Sequence, residues 1–354
     1  MLNIKRFHPG VYLKDALESI NMKANEFAAR TGISERTLSG IINEDTAISF
    51  EVAYKLANFF DTSINYWTNL QNDYELYQRE KVEKESLDFD FNLIKPIKSY
   101  LIENEYAKAE DGKEEMVKKI RSLVGVNYLS LLSSNDSFAC FKKQKSDKND
   151  NAFLENFWIA LALNKARKKE IKDFDIELLK SSIPSIKALN LLEPQEFYPK
   201  LTNILEECGV SFVLLPYLPK SNIYGVTKWF NKNNVMIAVS NRGEKPDLFW
   251  FTIFHELAHV LMQHKREMLY YVANKEDEEA DRLASEILIK EKSWKYYINS
   301  IDRFSEKNIR EFASEEKVIP EIVLGRLHKE KLLPYNMFSK IFNKKYDKKD
   351  MPFS

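Results

Sequence analysis

Apolar positions recur at helical spacing along most of the chain and run continuously in only a few short stretches. In 11–20, Val11, Leu13, Ala16, Leu17 and Ile20 fall on one helical face. A second helix over 25–31 stops at Gly32, and a third begins after Ser34, whose hydroxyl suits an N-cap. Ser49 opens a fourth helix with Val52, Leu56, Ala57 and Phe60 inward, and 64–77 makes an aromatic-rich fifth. Ala28, Gly32, Leu38 and Ile41 stand where a helix-turn-helix needs a small contact, a turn and two packing residues.

Beyond this module the charged run 79–85 reads as a solvated helix face, and helical patterning continues over 94–132 without a chemical motif. The lysine-rich stretch 142–150 reads as an exposed loop. Helices follow around 158–167, 176–181 and 195–208, the last ended by Gly209. Three strands are expected at 210–216, 223–230 and 235–240, the last two joined by a polar turn, in a small antiparallel sheet. The fold class is therefore α+β and mostly α. It comprises a five-helix module at 1–80, a helical connector with a polar linker at 81–152, and a domain at 153–350 with a small sheet.

The chemistry concentrates in an apolar run without Gly or Pro, where His255-Glu256-Leu257-Ala258-His259 reads as part of a buried helix. Histidines four apart differ by about 40° around a helix and by about 6 Å along it. Both imidazoles can thus face one Zn2+, and Glu256, next to the first of them, can serve as general base for a water activated there. The alternative is a hydrogen-bonded core cluster.

A third ligand is sought downstream. Ala280, Leu283, Ala284, Ile287 and Leu288 form a buried stripe that Asp277 extends inward, and this makes Asp277 the favoured ligand with Glu278 next. Asp281, four residues on, can hydrogen-bond a ligand histidine. His264 reads as a surface histidine, rotated off the ligand face. His328, Tyr270 and Tyr271 compete as stabilisers of a developing oxyanion.

Composition narrows the partners. The 354 residues carry 53 Lys+Arg and 53 Asp+Glu, so no global charge points to nucleic acid or membrane. Residues 1–80 hold 8 basic and 11 acidic side chains, although phosphate neutralisation normally supplies most DNA affinity. If the module reads a duplex, Glu35, Arg36, Thr37, Ser39 and Asn43 lie on or beside the groove face of its third helix. Otherwise it is a helical bundle for dimerisation, including a homodimer, or for protein binding. Cys140 and Cys208 are the only cysteines, which offers no disulfide framework or thiolate site. With no apolar leader and no run of 18 apolar residues, a cytoplasmic protein without membrane contact is expected.

Two resemblances rest on these residues. His8-Pro9-Gly10, the stretches 28–34 and 37–43, and 66–71 resemble the XRE-type helix-turn-helix of HigA-like antitoxins. Glu35 and Gly40 stand where relatives often carry basic side chains. The segments 208–210, 249–259, 280–284, 287–289 and 319–327 resemble the ImmA/IrrE zinc metallopeptidases. That resemblance implies zinc on His255 and His259, with Glu256 as general base. It also implies a third ligand at the position of Asp277, where the family has a Glu. Relatives usually have Pro where Lys290 stands. The expected function is a transcription-regulator-type protein that cleaves a specific partner, a repressor or a toxin–antitoxin component. The rival is a non-catalytic zinc-containing DNA-binding or antitoxin-like regulator, and a third reading makes the first module a substrate adaptor.

Overall fold

The computed structural model describes residues 6–133, 152–263, 269–270 and 275–353, with backbone alone at 269–270 and 275–277. Among the described residues, fifteen α-helices and one four-stranded sheet make the fold α+β and mostly α. The chain divides into two compact units, Met1–Phe89 and Asp90–Ser354.

The first unit holds α1 (Pro9–Ser19), α2 (Ala24–Thr31), α3 (Glu35–Ile42), α4 (Phe50–Phe60) and most of α5 (Ile64–Ile94). His8 caps α1 by accepting the Gly10 N–H on Nδ1 at 2.9 Å, and Pro9 supplies the first helical residue, where no N–H is needed. A Cβ on Gly10 would stand 1.8 Å from the Ile41 carbonyl oxygen, so only glycine lets α1 rest on α3. Leu13, Phe27, Leu38, Ile41, Leu56 and Trp67 close the core, with Phe27 against Phe59 and Phe60. Each such apolar side chain contributes about 1.5–3 kcal/mol on burial. Gln71 explains part of the 66–71 motif, since its side-chain oxygen accepts the buried Ile48 N–H at 2.9 Å. The fifth helix is far longer than the 64–77 pattern predicts. It carries the largely exposed run 79–85 without a break, because nothing there removes a backbone donor or forces a turn.

The second unit continues through α6 (Lys98–Glu103), α7 (Lys113–Val124), α8 (Ala152–Arg167), α9 (Ile176–Ala188) and α10 (Pro194–Glu207). Buried Asp90 accepts Arg121 Nε at 2.8 Å and the N–H groups of Leu129 and Ser130, which fixes the connection after α7. Helix α9 passes the stop expected at 181 and accommodates Pro184.

The sheet comprises β1 (Val210–Leu215), β2 (Gly225–Trp229), β3 (Val235–Ser240) and β4 (Leu269–Tyr270), in the order β1-β3-β2-β4. It is mixed, which corrects the antiparallel expectation. The β2–β3 hairpin pairs antiparallel, but β3 returns into the gap beside β1 and so runs parallel to it, Val210 opposite Val235. β1 and β3 are buried along their whole length, which accounts for their continuous apolar runs.

Helix α11 (Pro246–Leu261) packs on β2 and β3, then α12 (Lys275–Leu288), α13 (Glu291–Ser300), α14 (Glu306–Glu316) and α15 (Pro320–Lys329) complete the unit. Tyr346 anchors the following segment to α11, since its hydroxyl accepts Trp250 Nε1–H at 3.0 Å and its N–H reaches the Glu244 carbonyl. Asn190 receives the Ile319 N–H at 2.8 Å and sets the start of α15. None of the described helices is long and apolar enough to cross a membrane.

Candidate functional site

Helix α11 starts at Pro246 and presents apolar residues around nearly its full circumference, so it is a helix buried on all sides. Within it His255, Glu256 and His259 are each only 1% exposed. Burying three such groups is costly unless they are satisfied, and their partners come from the elements around α11.

The two imidazoles converge as the four-residue spacing predicts. Their Nε2 atoms lie 3.1 Å apart and the rings meet edge to face. His255 Nδ1 lies 2.9 Å from Asp281 Oδ1 on α12, a contact that places a proton on Nδ1 and leaves the Nε2 lone pair turned toward His259. At this separation the two ring nitrogens are close enough to share a proton or a cation. Tetrahedral Zn2+ with Zn–N of about 2.0–2.1 Å spaces two ligand nitrogens by about 3.3 Å. The pair therefore fits that ion. Burial alone would push the Asp281 carboxyl up, but hydrogen bonds from His255 and Lys329 hold it below the usual carboxylate range.

The Glu256 carboxylate meets the sheet at β2. Thr227 Oγ1 on β2 donates to Glu256 Oε2 at 2.7 Å and lies 3.2 Å from its backbone carbonyl. Two residues earlier on the same strand face, a Cβ on Gly225 would stand 2.8 Å from Glu256 Oε1 and 2.7 Å from Thr252 Cγ2. Glycine here is the condition for α11 to lie against β2 with the acid between them. Neither residue stands out from its sequence pattern as a site residue. The signal that could have found them is the lone glycine inside the 223–230 strand pattern, because it marks a close backbone approach.

The remaining candidates fall differently. Asp277 belongs to α12, but its side chain lies outside the described residues, as do His264, Tyr271, Cys140 and the side chain of Tyr270. Glu278 is exposed. Among the described residues no group of three His, Cys, Asp or Glu side chains forms a metal-holding set. The oxyanion role weighed for His328 is not supported: its Nε2 lies 3.1 Å from the Met337 carbonyl and its ring rests against Tyr335. One turn before His255, a cavity of about 410 Å³ opens among Leu248, Phe251, Leu288, Leu324 and Phe342.

On the first unit, Ser34 caps α3 by accepting the Thr37 N–H at 3.1 Å, and Leu38 and Ile41 turn inward. Glu35, Arg36, Ser39 and Asn43 are exposed and share the outward side of α3, while Thr37 is half-buried near Ile41's side of the helix. Asn43 Nδ2 reaches Ser39 Oγ at 3.3 Å.

Comparison with known proteins divides the chain in the same two directions. Residues 13–67 match the helix-turn-helix family HTH_3, and residues 205–328 match Peptidase_M78, the IrrE N-terminal-like domain. An uncharacterized HTH-type transcriptional regulator of Escherichia coli K12, YbaQ, is 34% identical over 73 residues, which are 20% of this chain and 65% of that protein. Another from the same strain, YddM, is 33% identical over 73 residues, 21% of this chain and 78% of that protein. The chain thus spans about two-thirds of the length of the first relative and more of the second. Among solved structures, an addiction module antidote protein of the HigA family from Coxiella burnetii shares 28% identity. It covers 25% of this chain and 96% of its own, with a TM-score of 0.24.

Proposed function

We propose a function for a chain that belongs to the XRE-type helix-turn-helix regulators through residues 13–67 and carries an IrrE-like Peptidase_M78 domain over residues 205–328. It is a regulatory zinc endopeptidase that cuts a specific protein partner, a repressor or a toxin–antitoxin component. The observation that carries this reading is the buried cluster on α11, with two Nε2 atoms 3.1 Å apart and Glu256, next in sequence to His255, fixed by Thr227.

His255 and His259 hold the metal together with Asp277, or with Glu278 in its place, and Asp281 orients His255. Zinc bound there would supply a Lewis acid for a peptide carbonyl and lower the pKa of water toward neutrality, which makes it a better nucleophile. Glu256 then takes the proton of the attacking water on a carboxylate oxygen and passes it to the leaving amide nitrogen. The C–O bond to the attacking water forms first, and the C–N bond then breaks as Glu256 delivers the proton to the nitrogen, which restores the carboxylate. Among the described residues β4 pairs with β2 at Val226 and Thr227 and forms the edge of the sheet, so an extended peptide would add to the sheet along β4. The cavity one turn before His255 gives an apolar side chain of that peptide room.

The helix-turn-helix module docks on duplex DNA through Arg36, Thr37, Ser39 and Asn43, with Glu35 opposing the phosphates. A second reading, in which the module is an adaptor that recruits the substrate, is favoured by its 11 acidic against 8 basic residues over 1–80.

Metal content and cleavage test the proposal together. About one zinc per chain is expected in the wild type and none in His255→Ala. A library of proteome-derived peptides, read by mass spectrometry of new N-termini, should be cut by the wild type and left intact by Glu256→Gln, which keeps its zinc. Equal cutting by both proteins would remove Glu256 from the chemistry. Zinc without cutting in either would favour the non-catalytic regulator.

A further inference from the structure

The residue after His328 reaches the metal centre although His328 does not. Lys329 Nζ lies 3.0 Å from Asp281 Oδ2, and the other oxygen of that carboxylate lies 2.9 Å from His255 Nδ1. The same ammonium stands 4.3 Å from the centroid of the Phe251 ring, and that ring is 6.3 Å from the His255 ring. Lys329 therefore touches two of the groups that surround His255 and does not touch His255 itself.

Its own position is set by α15. Val323 and Leu327 bury one side of this helix, and Arg326, one turn earlier, reaches the Ile289 carbonyl and Glu291 with one guanidinium. This ties α15 to the end of α12, the helix that carries Asp281. A lone half-exposed ion pair contributes little to stability. What this one decides is orientation. A carboxylate bonded through one oxygen can rotate and exchange its oxygens, whereas one bridged at both keeps Oδ1 on Nδ1. The cation–π contact with Phe251 restrains the otherwise flexible lysine stem.

We propose that Lys329 is a positioning residue of the metal centre: by bridging Asp281 it holds His255 in the tautomer whose Nε2 faces the metal. The inference rests on the reading of His255 and His259 as zinc ligands. It assigns α15 a part in the site that the histidine motif alone does not contain. Groups bonded to a ligand histidine change metal affinity by about 10–100-fold when removed, and a group one contact further out should change it less, by about threefold to tenfold.

Competition of the full chain against a chromophoric chelator for zinc tests this, with far-UV circular dichroism and melting as controls of folding. Lys329→Met, which keeps the stem and loses the charge, should bind zinc about threefold to tenfold more weakly, and Lys329→Arg should stay within about twofold of wild type. In an Asp281→Ala background Lys329→Met should have no further effect, because the bridge is already gone. The ¹⁵N shifts of the His255 ring should show Nδ1–H in the wild type and a mixed tautomer in Lys329→Met. Unchanged or tighter zinc binding by Lys329→Met, or the same loss with and without Asp281, overturns the proposal. If the wild type binds zinc and Lys329 has no effect, this inference alone falls. If the wild type binds none, it falls together with the zinc reading.

Discussion

Thr227 Oγ1 donates to Glu256 Oε2 at 2.7 Å and so joins the middle of β2 to the buried acid of α11. Removing one partner of a buried hydrogen bond costs about 1–3 kcal/mol. Thr227→Val keeps the shape and removes the donor, so the second unit should lose about that much stability. Denaturant unfolding at neutral pH measures it. An unchanged midpoint would mean that the hydroxyl does not hold the carboxylate.

Gly225→Ala tests the approach of the same strand from its other oxygen. The added methyl would meet Glu256 Oε1 at 2.8 Å and Thr252 Cγ2 at 2.7 Å, so the acid must move. Overpacking of this kind costs about 1–3 kcal/mol. The expected outcome is a protein that retains zinc and loses peptide cleavage, because His255 and His259 are untouched. Full cleavage activity in this variant would show that Glu256 tolerates displacement.

Asp247, in the first turn of α11, gives the second unit a specific pH dependence. Burial pushes its carboxyl above the usual range, against hydrogen bonds from the helix N-terminus and attraction to Lys245, and Glu321 adds to the rise. The folded protein thus prefers the protonated acid. The resulting cost is absent below the ordinary aspartate range of about 3.9, grows as pH rises through the raised folded value, and is complete above it. Asp247→Asn should therefore stabilise the protein at pH 7, by a margin that shrinks toward pH 4. The same margin at both pH values would place the effect elsewhere.

The charge of the first module makes its contact with DNA measurable by salt. With 8 basic and 11 acidic residues over 1–80 and Glu35 exposed at the start of α3, few phosphates can be neutralised. Raising salt from 50 to 200 mM should weaken binding to the chain's own promoter duplex by about tenfold or less, whereas six to ten phosphate contacts would cost about 10³–10⁵. A steep dependence would show that lysines outside this module join the contact.

Features with a short period are legible in the amino-acid order. His255 and His259 share a face because residues four apart on a helix do. Ser34 begins α3 because a hydroxyl there answers a backbone donor. The stripe on α12 places Asp281 near α11 by the same periodicity. The helical character of 79–85 is legible as a solvated face, but its fusion with the 64–77 helix into one α5 is not, because neither segment's pattern marks a shared boundary.

The amino-acid order by itself determined a helical first module, a buried helix bearing two histidines and an acid, and three strands beside it. These are local consequences of period, capping and composition. The tertiary structure alone decided that β3 enters between β1 and β2, that Gly225 and Thr227 meet Glu256, and that Lys329 rather than His328 reaches Asp281. Thr227 and Glu256 are 29 positions apart and Asp281 and Lys329 are 48, and such pairs are joined by shape and hydrogen bonding that no short period encodes.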